Sequence, residues 1–196
     1  MTTNSSGPLD RFVHGRAATL CAFAWGFAEA TLFFFVPDVL LTLIACRSLR
    51  ASLKATTAAI LGALLGGTVM YGLASVSPET ARSWLVHVPA IHPPLLQRVE
   101  SQFAACGLEA LVLGPTLGIP YKIYAVEWGA RHGNFPMFVL LSVPARGIRF
   151  VLAALLASGL ARLLAPWTRR RAQIEIALLA LVWVGFYLFY FVRFGW

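Results

Sequence analysis

The chain has 196 residues, of which 59% are hydrophobic and only 12% are charged, against roughly a quarter in an ordinary soluble domain. A soluble protein of this size needs more charge to cover its core, so the composition indicates that lipid is the solvent for most of the surface. The net charge of +8 would suit nucleic acid, but the basic residues lie between apolar runs and the phenylalanines lie inside those runs. We therefore expect an all-α integral membrane protein with no nucleic-acid partner.

The first apolar run follows a polar N-terminal tail, residues 1–15, and covers residues 17–46 without a Lys or Arg. As one helix it would reach about 45 Å, which exceeds a hydrocarbon core of about 30 Å. Pro37 in its middle should break the helix. Because cytoplasmic loops are rich in Lys and Arg, the basic residues at both ends place both ends on the cytoplasmic side. These features predict a re-entrant hairpin, 17–46, flanked by Arg11, Arg16, Arg47, Arg50 and Lys54.

A simple transmembrane span is predicted next, at residues 55–75. Ala58, Gly62 and Gly66 recur four residues apart in it, a stripe of small residues that lets a second helix approach closely. The only long polar stretch, 77–109, follows, and we expect it to be an outer amphipathic segment lying partly on the membrane surface.

A second broken apolar segment, 110–130, carries dense Gly and Pro punctuation, with breaks expected at Pro115 and Pro120. Two broken hydrophobic segments in one chain are the pattern that, in transporters, indicates a substrate site near the bilayer midplane. A further span is predicted at 135–166, and residues 168–196 should form a basic loop and a C-terminal transmembrane helix. With the N-terminus in the cytoplasm, most Lys and Arg residues outside the spans fall on the cytoplasmic side.

Six ionisable residues fall at predicted membrane depth, where each unpaired charge costs on the order of 2.5 to 3.5 kcal/mol. We expect them to converge in one polar chamber, in which Glu29 and Asp38 take up and release a proton. Two arginines three residues apart share a helix face and can clamp a phosphate. The six residues are Glu29, Asp38, Lys122, Glu127, Arg146 and Arg149.

Less functional interpretations of these charges stay open. The two arginines, and Lys122 beside Tyr121, could extend their charged ends to water at the membrane surface. Glu29 and Asp38 could simply neutralise the bases, and for Glu127 a structural or interfacial role is favoured. Three cysteines without metal-ligand spacing, and histidines outside the charged group, indicate no metal, no cofactor and no enzymatic activity.

These motifs resemble the DedA family, also called the SNARE-associated or VTT-domain family, and most closely its short bacterial branch. Glu29 followed by the Phe33–Leu41 stretch is similar to the family's first re-entrant motif. Gly114-Pro115-Thr116 with Pro120-Tyr121-Lys122 is similar to the second, and Arg146 and Arg149 followed by Phe150 match its arginine pair. The resemblance covers roughly residues 20–165. It departs at Lys122, where many members carry an arginine nearby, and at Glu127, where small residues are more usual.

The resemblance implies a DedA/VTT-like membrane domain, residues 16–167, with two re-entrant hairpins that enter from opposite faces and meet at mid-membrane. It also implies a location in the bacterial inner membrane and movement of anionic lipids, such as polyprenyl phosphates or phospholipids, across the bilayer, in some members with proton coupling. In this chain the headgroup-binding residues would be Arg146, Arg149, Lys122 and Tyr121. A proton-coupled exporter of small cations or drugs and a purely structural membrane protein are the alternatives, and the sequence leaves open whether the chain forms a homo-oligomer.

Overall fold

The computed structural model describes residues 7–168 and 172–194, and in these ranges the chain is helical with no strand, which confirms the all-α expectation. The predicted basic loop, Arg169–Arg171, and the first six residues of the polar tail lie outside the described residues. In chain order the helices are α1 (Pro8–His14), α2 (Arg16–Thr31), α3 (Asp38–Arg47), α4 (Leu49–Val76), α5 (Pro78–Leu85), α6 (Pro93–Cys106), α7 (Ala110–Thr116), α8 (Tyr121–Ala130), α9 (Phe135–Thr168) and α10 (Ala172–Phe194).

The predicted small-residue stripe lies where α4 packs against α2, and the close approach is confirmed. A Cβ placed on Gly62 would overlap the carbonyl oxygen of Phe23, and one placed on Gly26 of α2 would overlap the carbonyl of Ala59. Because neither glycine can gain a side chain without moving backbone, the two helices hold each other in a fixed register. This register positions Glu29, which lies near the end of α2.

The first apolar run breaks where the sequence predicts. Helix α2 ends at Thr31, helix α3 begins at Asp38, and Pro37 is the N-cap of α3. Between them the chain is irregular, and Trp25 Nε1 donates a hydrogen bond to the carbonyl of Phe35 at 2.8 Å. We refer to residues 32–37 as the first break.

The second apolar run is interrupted at residues 117–120, which we call the second break. Pro120 is the N-cap of α8, and Gly118 has φ of +96°, a left-handed conformation that favours glycine. Pro115 lies inside α7 rather than in the break, contrary to the sequence prediction. A proline lacks only its own N–H, so the helix continues to Thr116 before the chain turns.

Two helices of the described residues, α4 and the Phe135–Ala165 part of α9, are long and apolar enough to cross a bilayer by length and composition. They match the predicted spans 55–75 and 135–166, with α4 beginning six residues earlier. The predicted outer segment, 77–109, consists of α5, α6 and a short 3-10 helix, Gly107–Glu109. Along α9 and α10 large apolar side chains are exposed, including Leu152, Leu156, Leu160, Leu163, Leu181, Leu188, Phe189 and Val192.

Candidate functional site

A cavity of about 590 Å³ lies where the two breaks meet α9 and α10. Four charged side chains line it: Glu29 and Asp38 from the two sides of the first break, Lys122 from the start of α8, and Arg149 from α9. The remaining lining is largely apolar and aromatic. The structure therefore brings together residues that are far apart in the sequence, and it does so around an open space.

Two ion pairs connect the first broken segment to α9. Asp38 Oδ2 accepts a hydrogen bond from Arg149 Nη2 at 2.8 Å, and Glu29 Oε2 accepts one from Arg146 Nη2. Both carboxylates are almost completely buried, with residue exposures of 3%. Arg146 is buried and does not extend to water, so the interfacial interpretation does not fit it, whereas the paired Arg149 side chain is 23% exposed.

Arg146 lies behind the cavity rather than in its wall. Its residue exposure is 1%, and its guanidinium lies over the rings of Phe150 at 4.6 Å and Tyr121 at 5.3 Å. Tyr121 is fully buried and donates a hydrogen bond to Ser142 Oγ at 2.7 Å. Neither Arg146 nor Tyr121 lines the cavity, so direct headgroup contact, as the sequence suggested for both, is not what this arrangement favours.

Lys122 joins the two breaks. Its ammonium donates a hydrogen bond to the carbonyl of Phe33, in the first break, at 2.8 Å, and the residue is 1% exposed. The backbone carbonyl leaves its positive charge uncompensated by a direct carboxylate partner. Three further atoms in this region, Asp38 Oδ1, Arg146 Nε and Arg149 Nε, are buried and have no hydrogen-bond partner within residues 7–168 and 172–194.

The charge balance of this group is positive. Three cations, Lys122, Arg146 and Arg149, face two carboxylates, Glu29 and Asp38, which leaves one formal positive charge. The first turns of α3 and α8 also line the cavity, and the N-terminal end of a helix carries partial positive charge. The electrostatics of this site therefore favour an anion.

Glu127 does not join this group, contrary to the expectation that six charges converge. It is the acceptor for Arg82 and for Arg131, each at 3.1 Å, at the far end of α8. The hydrogen bond to Glu127 raises the pKa of the Arg82 guanidinium above its usual value. Glu127 is five positions after Lys122 on a helix with 3.6 residues per turn, so the two side chains lie at different heights and on different faces. We call Glu127, Arg82 and Arg131 the rim cluster.

Helix α10 closes one side of the cavity, a role that sequence reasoning missed by treating it as a separate C-terminal span. Trp183 Nε1 donates to Thr42 Oγ1 at 3.0 Å, and the backbone N–H of Val36 donates to the hydroxyl of Tyr187 at 3.0 Å. Trp183 and Tyr187 are four residues apart and share a helix face. That spacing of aromatic residues with polar tips was the available signal.

The described residues contain no group of three or more His, Cys, Asp or Glu side chains that could hold a metal ion. The lining of the cavity includes no histidine. The polar side chains in the lining are the cations, the carboxylates, the hydroxyl of Thr116 and the hydroxyl and indole groups of α10.

Comparisons of the chain with protein-family models, with curated proteins and with solved structures find no match. The resemblance to the DedA family therefore stays a prediction from the motifs.

Proposed function

We propose that the protein is an integral membrane protein in which α4, α9 and α10 contact lipid. Helices α4 and α9 have the length and composition of membrane spans, and the exposed apolar side chains along α9 and α10 would be costly in water. Broken backbone such as the two breaks is tolerated at membrane depth when it lines a cavity, which both breaks do here. The two broken segments would then be re-entrant hairpins.

We propose further that the cavity binds the headgroup of an anionic lipid and that the protein moves this lipid across the bilayer. The observation that carries the proposal is a partly open cavity lined by Arg149 and Lys122, in a cluster with one excess positive charge. Arg149 presents a planar guanidinium suited to phosphate oxygens, and Lys122 adds a second positive charge. Arg146 acts through Glu29, which it holds at the cavity wall.

Proton exchange at the acids gives the site a way to bind and release. While Asp38 is ionised, it competes with a headgroup for Arg149, to which it is hydrogen-bonded. Protonation of Asp38 or Glu29 removes a negative charge, strengthens the hold on an anion and weakens the ion pair between the first broken segment and α9. Rocking of the two broken segments then exposes the cavity to the other side.

The charge balance argues against the cation exporter. Both carboxylates of the site are already hydrogen-bonded to arginines, and the cluster is positive before any substrate enters. A cation would have to displace an arginine from a buried carboxylate, which leaves a buried charge without a partner.

The test is the flipping of labelled anionic lipid in proteoliposomes. We expect Arg149→Ala to slow flipping about tenfold or more, because one charge-assisted contact of about 1.5 to 3 kcal/mol is lost. Glu29→Gln should slow it and remove its dependence on a pH gradient. Arg131→Ala, in the rim cluster, is the matched control and should flip lipid at the parent rate. Equal rates in all four proteins would reject the proposal.

The purely structural interpretation makes a different prediction for a charge swap. If the ion pair between Glu29 and Arg146 only locks helices together, Glu29→Arg combined with Arg146→Glu should restore full flipping. If Arg146 positions a carboxylate at the cavity wall, the swap places a cation there instead, and flipping should stay well below the parent rate.

A further inference from the structure

A second, narrow cavity of about 240 Å³ lies between α3, α9 and α10, and its lining is almost entirely apolar. We call it the tail groove. Three alanines, Ala153, Ala157 and Ala161, recur four residues apart along its α9 side. Leu178 and Leu179 of α10 face them across the groove. Small side chains on α9 leave a space that α10 does not fill.

The tail groove adjoins the charged cavity. Ala153 and Trp183 line both spaces, and the hydrogen bond from Trp183 to Thr42, which also lines the groove, lies at the boundary. The charged cavity, at the Arg149 end of the groove, also holds Asp38, whose Oδ1 is buried with no hydrogen-bond partner among the described residues. A polar end followed by an apolar channel has the chemical layout of a lipid.

Helix periodicity explains why the groove begins at the ion pair. Along α3 the groove residues Thr42 and Cys46 follow Asp38 at intervals of four, and along α9 the three alanines follow Arg149 at the same interval. Residues four apart lie on one helix face. The faces that carry Asp38 and Arg149 at one end therefore form the tail groove along the rest of their length.

We infer that the tail groove holds one hydrocarbon chain of the anionic lipid whose headgroup binds at Arg149 and Lys122. This inference rests on the proposed function and adds the path of the lipid tail. From Ala153 to Leu164 the groove rises about 16 Å at 1.5 Å per residue, roughly half of a 30 Å hydrocarbon core. A headgroup at mid-membrane would thus extend its chain along the groove toward Arg47, at the C-terminal end of α3.

We favour the tail groove over a wider apolar groove of about 780 Å³, which lies on the other face of α10. The wider groove shares Trp183 and Tyr187 with the charged cavity, but it is lined by Trp25, Phe33 and Phe35 and not by the helix face that carries Arg149. A hydrocarbon chain in the wider groove would have to extend from the headgroup past the first break and not along α9.

Photo-crosslinking of the full chain in detergent tests the inference. Two probes carry the same diazirine in the hydrocarbon chain, one on phosphatidic acid and one on a polyprenyl phosphate, so that the better-labelling probe identifies the chain type. We expect adducts at Leu160, Leu164 and Leu179. Ala157→Phe, which fills the groove, should lower the yield about tenfold. The matched control Ala180→Phe, at an exposed α10 position outside the groove, should leave it unchanged.

Adducts concentrated at Trp25 and Phe191, or spread evenly over exposed helix faces, would overturn the inference, as would full labelling of Ala157→Phe. Binding of a water-soluble, short-chain phosphatidic acid separates this outcome from failure of the proposed function. Parent and Ala157→Phe should bind it equally, and Arg149→Ala about tenfold more weakly. If short-chain phosphatidic acid binds in an Arg149-dependent way but no adducts form in the groove, the tail-groove inference is rejected and the proposed headgroup site stands. Absence of that binding in the parent would reject both proposals.

Discussion

The cavity cluster, which consists of Glu29, Asp38, Lys122, Arg146 and Arg149, contains the same kinds of charged groups as the rim cluster in different surroundings. In the rim cluster both oxygens of Glu127 accept hydrogen bonds from arginines that are more than a third exposed, and Arg82 has a second carboxylate, Glu79, at 3.6 Å. With Glu79 counted, two arginines of the rim cluster face two carboxylates, whereas in the cavity cluster three cations face two carboxylates and Asp38 Oδ1 has no hydrogen-bond partner among the described residues. An acid within an apolar segment therefore indicates a binding site only where a cavity lies beside it and polar atoms nearby have no hydrogen-bond partner.

Removal of the buried carboxylate that pairs with Arg146 should have the largest effect on stability. Glu29→Ala leaves Arg146 charged and buried, so we expect the free energy of unfolding to fall by about 3 to 5 kcal/mol. Unfolding followed by circular dichroism in detergent measures this loss. Glu79→Ala, with an 89% exposed side chain, is the control and should change stability by less than about 0.5 kcal/mol.

The double variant Glu29→Leu with Arg146→Met separates stability from lipid flipping, because it replaces a buried ion pair with apolar side chains. It should recover most of the lost stability while lipid flipping stays reduced. Recovery of both properties would mean that this ion pair is structural, like the rim cluster.

The packing that positions Glu29 can be tested at the glycines of α4. Gly62→Ala places a methyl group against the Phe23 carbonyl, so we expect a loss of about 1 to 3 kcal/mol in unfolding free energy. Gly72→Ala is the matched control on the same helix, since no atom lies within 4 Å of the added group. It should be neutral or stabilise the protein by up to about 1 kcal/mol. Equal effects of the two substitutions would contradict the fixed register of α2 and α4.

The smallest effect is expected in the rim cluster. Glu127→Gln weakens two ion pairs whose arginines are partly exposed, so we expect a loss of about 1 kcal/mol, with lipid flipping unchanged. Because salt screens exposed pairs, the loss should shrink further at 1 M salt. A defect in flipping at normal stability would show that the rim cluster takes part in transport.

The sequence was most informative where backbone chemistry decides the structure. Pro37 and the Gly118–Pro120 stretch predict both breaks because a proline disfavours helix at the residue before it and Gly118 adopts the left-handed conformation found there at little cost. The stripe of small residues predicts the close α2–α4 contact for the same local reason. A break was predicted at Pro115, but this residue lies inside α7, because a proline near a helix end need not end the helix.

Tertiary arrangement lay beyond the sequence patterns. The sequence placed both Glu29 and Glu127 at membrane depth and favoured a structural or interfacial role for Glu127, but only the fold shows that one lines the cavity while the other lies at the far end of α8. Hydropathy indicated that α10 is apolar but not that Trp183 and Tyr187 close the cavity. The position of Arg146 behind the wall, under two aromatic rings, likewise depends on which helices meet.

Lys122 offers the most direct test of the claim that excess positive charge selects an anionic lipid. Lys122→Met removes that charge and leaves the pairs of Glu29 with Arg146 and of Asp38 with Arg149 in place. Flipping of anionic and of zwitterionic lipid is measured in the same proteoliposomes. We expect the parent to prefer anionic lipid and Lys122→Met to reduce this preference about tenfold. An unchanged preference in the variant, or none in the parent, would refute the claim.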